Sequence, residues 1–123
     1  MENNRIKVTL FRNSSEFRSY KAGEIIFGEG TEGNEMFVVR KGQVALKING
    51  KVLATIDEDE TFGEMALIDH RTRSATAEAL TDCEVVPIDS RRFLFLVQQT
   101  PNFALIMLQI MAQRLRTMDA GVK

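Results

Sequence analysis

The chain has one cysteine, one histidine, almost no net charge and no long apolar run, and each shortage closes off a class of function. Cys83 has no partner for an internal disulfide, which fits a reducing, cytoplasmic setting. Its apolar neighbours make it a small core residue rather than a redox centre. His70 alone cannot supply the several imidazoles that a metal enzyme on a barrel scaffold draws together. Haem or iron–sulfur sensing would also need more ligands than these two residues offer. No metal, no cofactor and no enzymatic activity are therefore expected. A net charge of −1 offers no basic face to nucleic acid. No apolar stretch approaches the ~20 residues that span a bilayer, and the polar N-terminus is no signal peptide, so no membrane partner is expected. No internal repeat, low-complexity tract or linker divides the 123 residues, which read as a single domain, 1–123.

Short apolar runs broken by glycine fill the chain from Phe17 to Leu80. Ile25-Ile26-Phe27 precedes Gly28 and Gly30; Gly33 precedes Met36-Phe37-Val38-Val39; Gly42 precedes the alternating Val44, Leu46 and Ile48. Asn49-Gly50 is a strong hairpin signal, and Lys51 opens the returning strand, Val52 to Ile56. Evenly spaced strands with such turns predict a mainly β protein, an antiparallel β-roll or jelly roll over about 17–89. Cys83 to Ile88 supplies its last strand, with Cys83, Val85 and Ile88 inward. Before the roll, Ile6, Val8 and Leu10 form a first strand or a docking segment, and Asn13-Ser14-Ser15 a turn. The acidic run Asp57 to Glu60 reads as a solvated turn, not a calcium loop.

The periodicity then changes. Asp89 or Ser90 can cap a helix over about 91–99, with Phe93, Leu94, Leu96 and Val97 as its apolar positions. Thr100-Pro101 sets up a second helix over about 101–118, released near Gly121. That helix carries two apolar rows. Phe103, Ile106, Met107 and Ile110 can pack on the roll, while Leu105, Leu108, Ala112 and Leu115 repeat at the spacing of a two-helix seam. A helix apolar nearly all round must be covered, which predicts a homodimer through this C-terminal helix.

The chemistry concentrates in Phe62 to Ala77. Gly63-Glu64 leads into Met65-Ala66-Leu67-Ile68, one or two turns of a short helix; a polar loop follows, and Arg73-Ser74 opens an alternating run that suits a strand. Free amides at a helix start attract anions, and glycine lets the backbone approach a ligand. Arginine adds a planar, permanently charged fork suited to phosphate. An acid beside that anion makes sense if it accepts hydrogen bonds from neutral hydroxyls. A phosphate on a ribose meets all three demands. Taken without their surroundings, Glu64 and Arg73 would read as an ion pair closing a loop; His70 and Arg71 read as solvated.

With Gly23-Glu24, Ile26-Phe27, Glu29-Gly30, Gly33, Phe37, Val39 and Gly42 in order, followed by Phe62-Gly63-Glu64-Met65-Ala66-Leu67 and Arg73-Ser74-Ala75-Thr76, the chain resembles the cyclic nucleotide-binding domain family. Its members include catabolite activator proteins, regulatory subunits of cyclic-AMP-dependent kinase and cyclic-nucleotide-gated channels. The resemblance implies that Glu64 accepts from the ribose 2′-hydroxyl. It implies that Gly63 and the amides around Met65 and Ala66 hold ribose and cyclic phosphate, and that Arg73 pairs with the exocyclic oxygens. Ser74 would donate to phosphate or to a guanine edge, and Arg114, Leu115 or Met118 would cover the base. Two positions depart from the family: Thr72 stands where proline often precedes the arginine, and Asp59 where glycine is usual. Aspartate tolerates positive φ better than most residues. The implied function is a stand-alone, bacterial-like sensor for cyclic AMP, less readily cyclic GMP, that moves its C-terminal helices and acts through an unknown effector protein. The competing reading is a domain of the same fold that binds no ligand and serves interaction or dimerisation alone.

Overall fold

A computed structural model describes residues 5–69 and 72–122, with side chains described through residue 116. Two compact units emerge, a roll over Lys7–Ser90 and a helical unit from Arg91 onward. The roll consists of two antiparallel four-stranded sheets. One contains, in spatial order, β1 (Arg18–Tyr20), β8 (Cys83–Asp89), β3 (Glu35–Lys41) and β6 (Thr61–Phe62). The other contains β2 (Ile25–Phe27), β7 (Thr76–Ala79), β4 (Val44–Ile48) and β5 (Lys51–Ile56). A mainly β roll with C-terminal helices is thus what the glycine-punctuated pattern predicts.

Local chemistry explains the joints. Asn49 and Gly50 both adopt positive φ, 52° and 79°, as a tight hairpin between right-twisted strands requires. Lys47 and Glu78 clasp neighbouring strands β4 and β7 on the second sheet, and Arg40 and Glu84 clasp β3 and β8 on the first. The core between the sheets gathers Phe37, Val39, Val44, Ile56, Phe62, Ala77, Ala79, Cys83 and Val85. Phe27, Phe37 and Phe62 form its aromatic centre, with ring centroids 5.2–6.0 Å apart.

Four expectations are corrected here. The segment with Ile6, Val8 and Leu10 is not a strand: Thr9–Phe11 form a 3₁₀ turn. Val8 and Phe11 are buried and the Val8 N–H donates to the Asp59 carbonyl, so the segment docks, but Leu10 is exposed. The acidic run is a solvated turn only in its first half, where Glu58 is exposed. Asp59 and Glu60 are buried, because Arg12 reaches Asp59 at 2.8 Å and the Glu60 carboxylate accepts the Asp57 N–H at 2.8 Å. Asp59 holds φ 68°, the left-handed backbone that its short polar side chain tolerates. In β8, Cys83 and Val85 face the inter-sheet core, whereas Ile88 sits at the opposite parity with Val86. Both faces of β8 and β3 are buried, so alternation alone could not sort them. Lastly, the strand after the cassette begins at Thr76, not Arg73.

The helical unit comprises α2 (Ser90–Gln99) and α3 (Asn102–Val122), which turn by 119° at their junction. The Thr100 N–H closes α2 on the Leu96 carbonyl at 2.7 Å, and the Thr100 carbonyl accepts the Phe103 N–H at 2.8 Å to open α3. In α2, Phe93, Leu96 and Val97 are half-buried, but Leu94 is exposed, since it projects about 100° away from Phe93 around the helix. Phe93 meets Phe103 edge-on, centroids 5.4 Å apart. Phe103, Met107 and Ile110 are buried and Ile106 half-buried, while Leu105, Leu108, Ala112 and Leu115 all lie exposed in the single chain. Among the described residues, no single helix is long and apolar enough to cross a membrane.

Candidate functional site

The site is assembled where the first sheet meets the cassette. Helix α1 (Glu64–Ile68) packs against β3, and its N-cap is Gly63 at φ 78°, a left-handed conformation that disfavours any residue with a Cβ. No side chain caps this helix start. A Cβ on Gly63 would also lie 2.8 Å from an Arg73 guanidinium nitrogen, so glycine is required both for the turn and for the arginine beside it.

Arg73 is the centre of the arrangement. Its backbone is pinned to the glycine loop: its N–H donates to the Thr31 carbonyl at 2.7 Å and its carbonyl accepts the Gly30 N–H at 2.7 Å. Its side chain, 7% exposed, turns inward. One terminal nitrogen donates to the Gly63 carbonyl at 3.0 Å and the other to the Glu35 carbonyl at 2.8 Å. The guanidinium lies over the Phe27 ring at 4.0 Å and leans on Phe37 at 5.8 Å, a cation–π seat. Gly33 faces it so closely that a methyl group there would overlap the guanidinium. The Nε–H is buried with no hydrogen-bond partner among the described residues. Burial pulls the Arg73 pKa below its ordinary value, opposed by the Glu35 carboxylate. The group stays charged because arginine titrates far above neutrality.

Glu64 is also buried, at 4% exposure, and its Oε2 accepts a hydrogen bond from the Thr61 hydroxyl. Arg73 spends its terminal nitrogens on backbone carbonyls, so the ion-pair alternative for Glu64 and Arg73 is not the arrangement adopted. The remaining candidates separate by exposure. Ala66 is buried, Met65 is about half exposed, Gly63 is intermediate and Ser74 is exposed next to the arginine. The sequence reading missed the residues that hold Arg73: Glu35 through its carbonyl, Gly33 by its lack of a side chain, and Phe27 by its ring. Gly33 and Phe27 were visible as framework; a carbonyl's role leaves no trace in residue type. His70 and Arg71 lie outside the described residues. So does the side chain of Met118, one of three proposed covers for the base; of the others, Leu115 is exposed and Arg114 half-buried.

Chemically, the site offers a buried guanidinium with an unused donor, an acid held by a neighbouring hydroxyl, and an uncapped left-handed glycine between them. Comparison with known proteins points the same way. The profile described as "Cyclic nucleotide-binding domain" matches residues 17–100. A cyclic AMP receptor protein of Thermus thermophilus is 35% identical over 118 residues, covering 92% of this chain and 55% of the relative. The chain thus spans about half the length of that curated relative. The crystal structure of the Thermus thermophilus catabolite activator protein superposes with a TM-score of 0.79 at 33% identity, covering 87% of this chain and 53% of the other. A structure described under a cyclic-GMP-dependent signalling pathway that regulates bacterial phytopathogenesis superposes with a TM-score of 0.76 at 26% identity, covering 87% and 90%.

Proposed function

The chain belongs to the cyclic nucleotide-binding domain family, and on that premise we propose that it is a sensor whose Phe62–Ala77 cassette holds the ribose and cyclic phosphate of cyclic AMP. The observation that carries this reading is the buried Nε–H of Arg73, a charged donor without a hydrogen-bond partner among the described residues. A buried donor left unmade costs about 1–3 kcal/mol, and an anion seated against it recovers that cost. Arg73 would face the exocyclic oxygens, Glu64 would accept the ribose 2′-hydroxyl, and Gly63 with the amides of Met65 and Ala66 would close around the sugar phosphate. Ser74, exposed beside the arginine, would donate to the phosphate. Cyclic AMP rather than cyclic GMP is favoured by the 35% identity to a cyclic AMP receptor protein.

Binding would be read out by the C-terminal helices, which close over the base in one of two placements. A nucleotide that prefers that placement shifts the population toward it. Full switching from 1:99 to 99:1 needs about 5.5 kcal/mol of differential affinity. The exposed row Leu105, Leu108, Ala112 and Leu115 supports a homodimer through α3, with a further protein as effector. The competing reading, an interaction domain without a ligand, gives no reason for an unused buried arginine donor. Calorimetric titration with cyclic AMP and with cyclic GMP tests the proposal. Binding in the micromolar range or tighter is expected; no heat and no displacement of a fluorescent analogue by either nucleotide would refute it.

A further inference from the structure

The buried polar side chains of the roll are Asp59, Glu60, Thr61, Glu64 and Arg73, among the described residues. Asp59 and Glu60 serve the turn that leads into β6, through Arg12 and the Asp57 amide. Thr61 has another task. Its side chain is 1% exposed, and its hydroxyl donates to Oε2 of Glu64 three residues later. Thr61-Phe62-Gly63-Glu64 has the spacing of a helix capping box, in which the threonine oxygen would accept an amide N–H of the helix. The chain does not use it so. Helix α1 starts only at Glu64, behind the left-handed N-cap Gly63, which has no side chain to cap it. The hydroxyl is turned to the carboxylate instead.

We propose that Thr61 is a positioning residue that presets the Glu64 carboxylate for a ribose 2′-hydroxyl and thereby sets the preference for ribose over deoxyribose; this rests on the reading of Glu64 given above. Thr61 is well suited to that work. It sits on β6 opposite Val38 of β3, so its backbone is fixed by the sheet. Its β-branched side chain is stiff at χ1, so the hydroxyl position is fixed as well. A glutamate already tethered by this hydroxyl loses less rotamer freedom when a ligand engages the carboxylate, and that saving appears as affinity. A hydrogen bond to a charged group is also stronger inside the protein than in water. Because Thr61 is itself sealed from solvent, it acts on the ligand indirectly, through the Glu64 carboxylate it holds.

The test is a calorimetric comparison of wild type, Thr61→Val and Thr61→Ser, each titrated with cyclic AMP and with 2′-deoxy cyclic AMP. Wild type should prefer the ribose form. Thr61→Val, nearly isosteric but without the hydroxyl, should lose about 10-fold toward cyclic AMP and nothing toward the deoxy form. Thr61→Ser should restore most of the loss. If wild type prefers ribose but Thr61→Val weakens both ligands equally, or neither, the proposal is overturned and Glu64 keeps its role. If wild type binds both forms equally, or binds neither, the reading of Glu64 fails and the proposal falls with it. Should Thr61→Val not fold by circular dichroism, Thr61→Ala replaces it in the same comparison.

Discussion

At the scale of single residues, Arg73 is the charged centre of the proposed cradle. Two carbonyls and an aromatic ring fix the guanidinium, and its buried Nε–H has no hydrogen-bond partner among the described residues. Replacing it with leucine removes the charge while keeping apolar contact with Phe27. Arg73→Leu should weaken cyclic nucleotide binding roughly 10- to 100-fold, the worth of one charge-assisted hydrogen bond, with circular dichroism unchanged. Unaltered affinity would mean that the phosphate is held elsewhere. Gly33→Ala probes the same group from outside. The backbone there needs no positive φ, so an added methyl acts only by displacing the guanidinium. Weaker binding together with a stability loss of about 1–3 kcal/mol is expected, since the Gly63 and Glu35 carbonyls lose their donor, measured by titration and by thermal unfolding. Asp59 tests strain in the roll. It holds φ 68°, so Asp59→Ala should be less stable than Asp59→Gly by about 1 kcal/mol in denaturant unfolding, although both lose the Arg12 contact.

At the scale of elements, helix α3 carries two apolar rows with different fates. Phe103, Met107 and Ile110 are buried, while Leu105, Leu108, Ala112 and Leu115 run along the helix fully in view. An apolar row of that length has no gain from solvent and a clear one from a second copy. Leu108 is the most exposed of its leucines, at 66%. Light scattering should report a dimer for the wild type and a monomer for Leu108→Glu, since a carboxylate in such a seam would be desolvated without a partner. A wild-type monomer at high micromolar concentration would leave the row without that role. The strands posed a different problem. The alternating Val44, Leu46 and Ile48 located β4, and the Asn49-Gly50 turn located its return as β5, although Val52 and Leu53 of β5 are both exposed. Alternation failed to orient Ile88, because β8 is buried on both sides and both parities are apolar.

At the scale of the whole molecule, the proposed coupling requires the roll and the helices to respond as one. A single unfolding transition for the full chain is therefore expected, although the contacts divide into two units. A ligand that binds only the folded state should raise its stability by about 2.7 kcal/mol at a hundred times Kd. Thermal unfolding with and without cyclic AMP would measure both quantities. Two separated transitions, with only one shifted by nucleotide, would show that the helices do not sense the site.

Residue type alone carries the class of fold and the ordered family motif. Turn glycines, the Asn49-Gly50 hairpin and the cassette Gly63, Glu64 and Arg73 are requirements of local geometry and charge, and local requirements show in residue type. It also implied that Asp59 could stand in for glycine, since aspartate tolerates a left-handed backbone, and the turn holds φ 68° there. How those groups are held emerges only on folding. The carbonyls of Glu35 and Gly63 grip Arg73, the space at Gly33 admits it, and Arg12 comes from 47 residues away to draw Asp59 out of solvent. Backbone carbonyls are the same in every residue, and a contact across sheets has no local period. Such partners are therefore silent in the sequence until folding brings them together. The hydroxyl of Thr61, spaced as a helix cap and turned instead to Glu64, is the clearest instance.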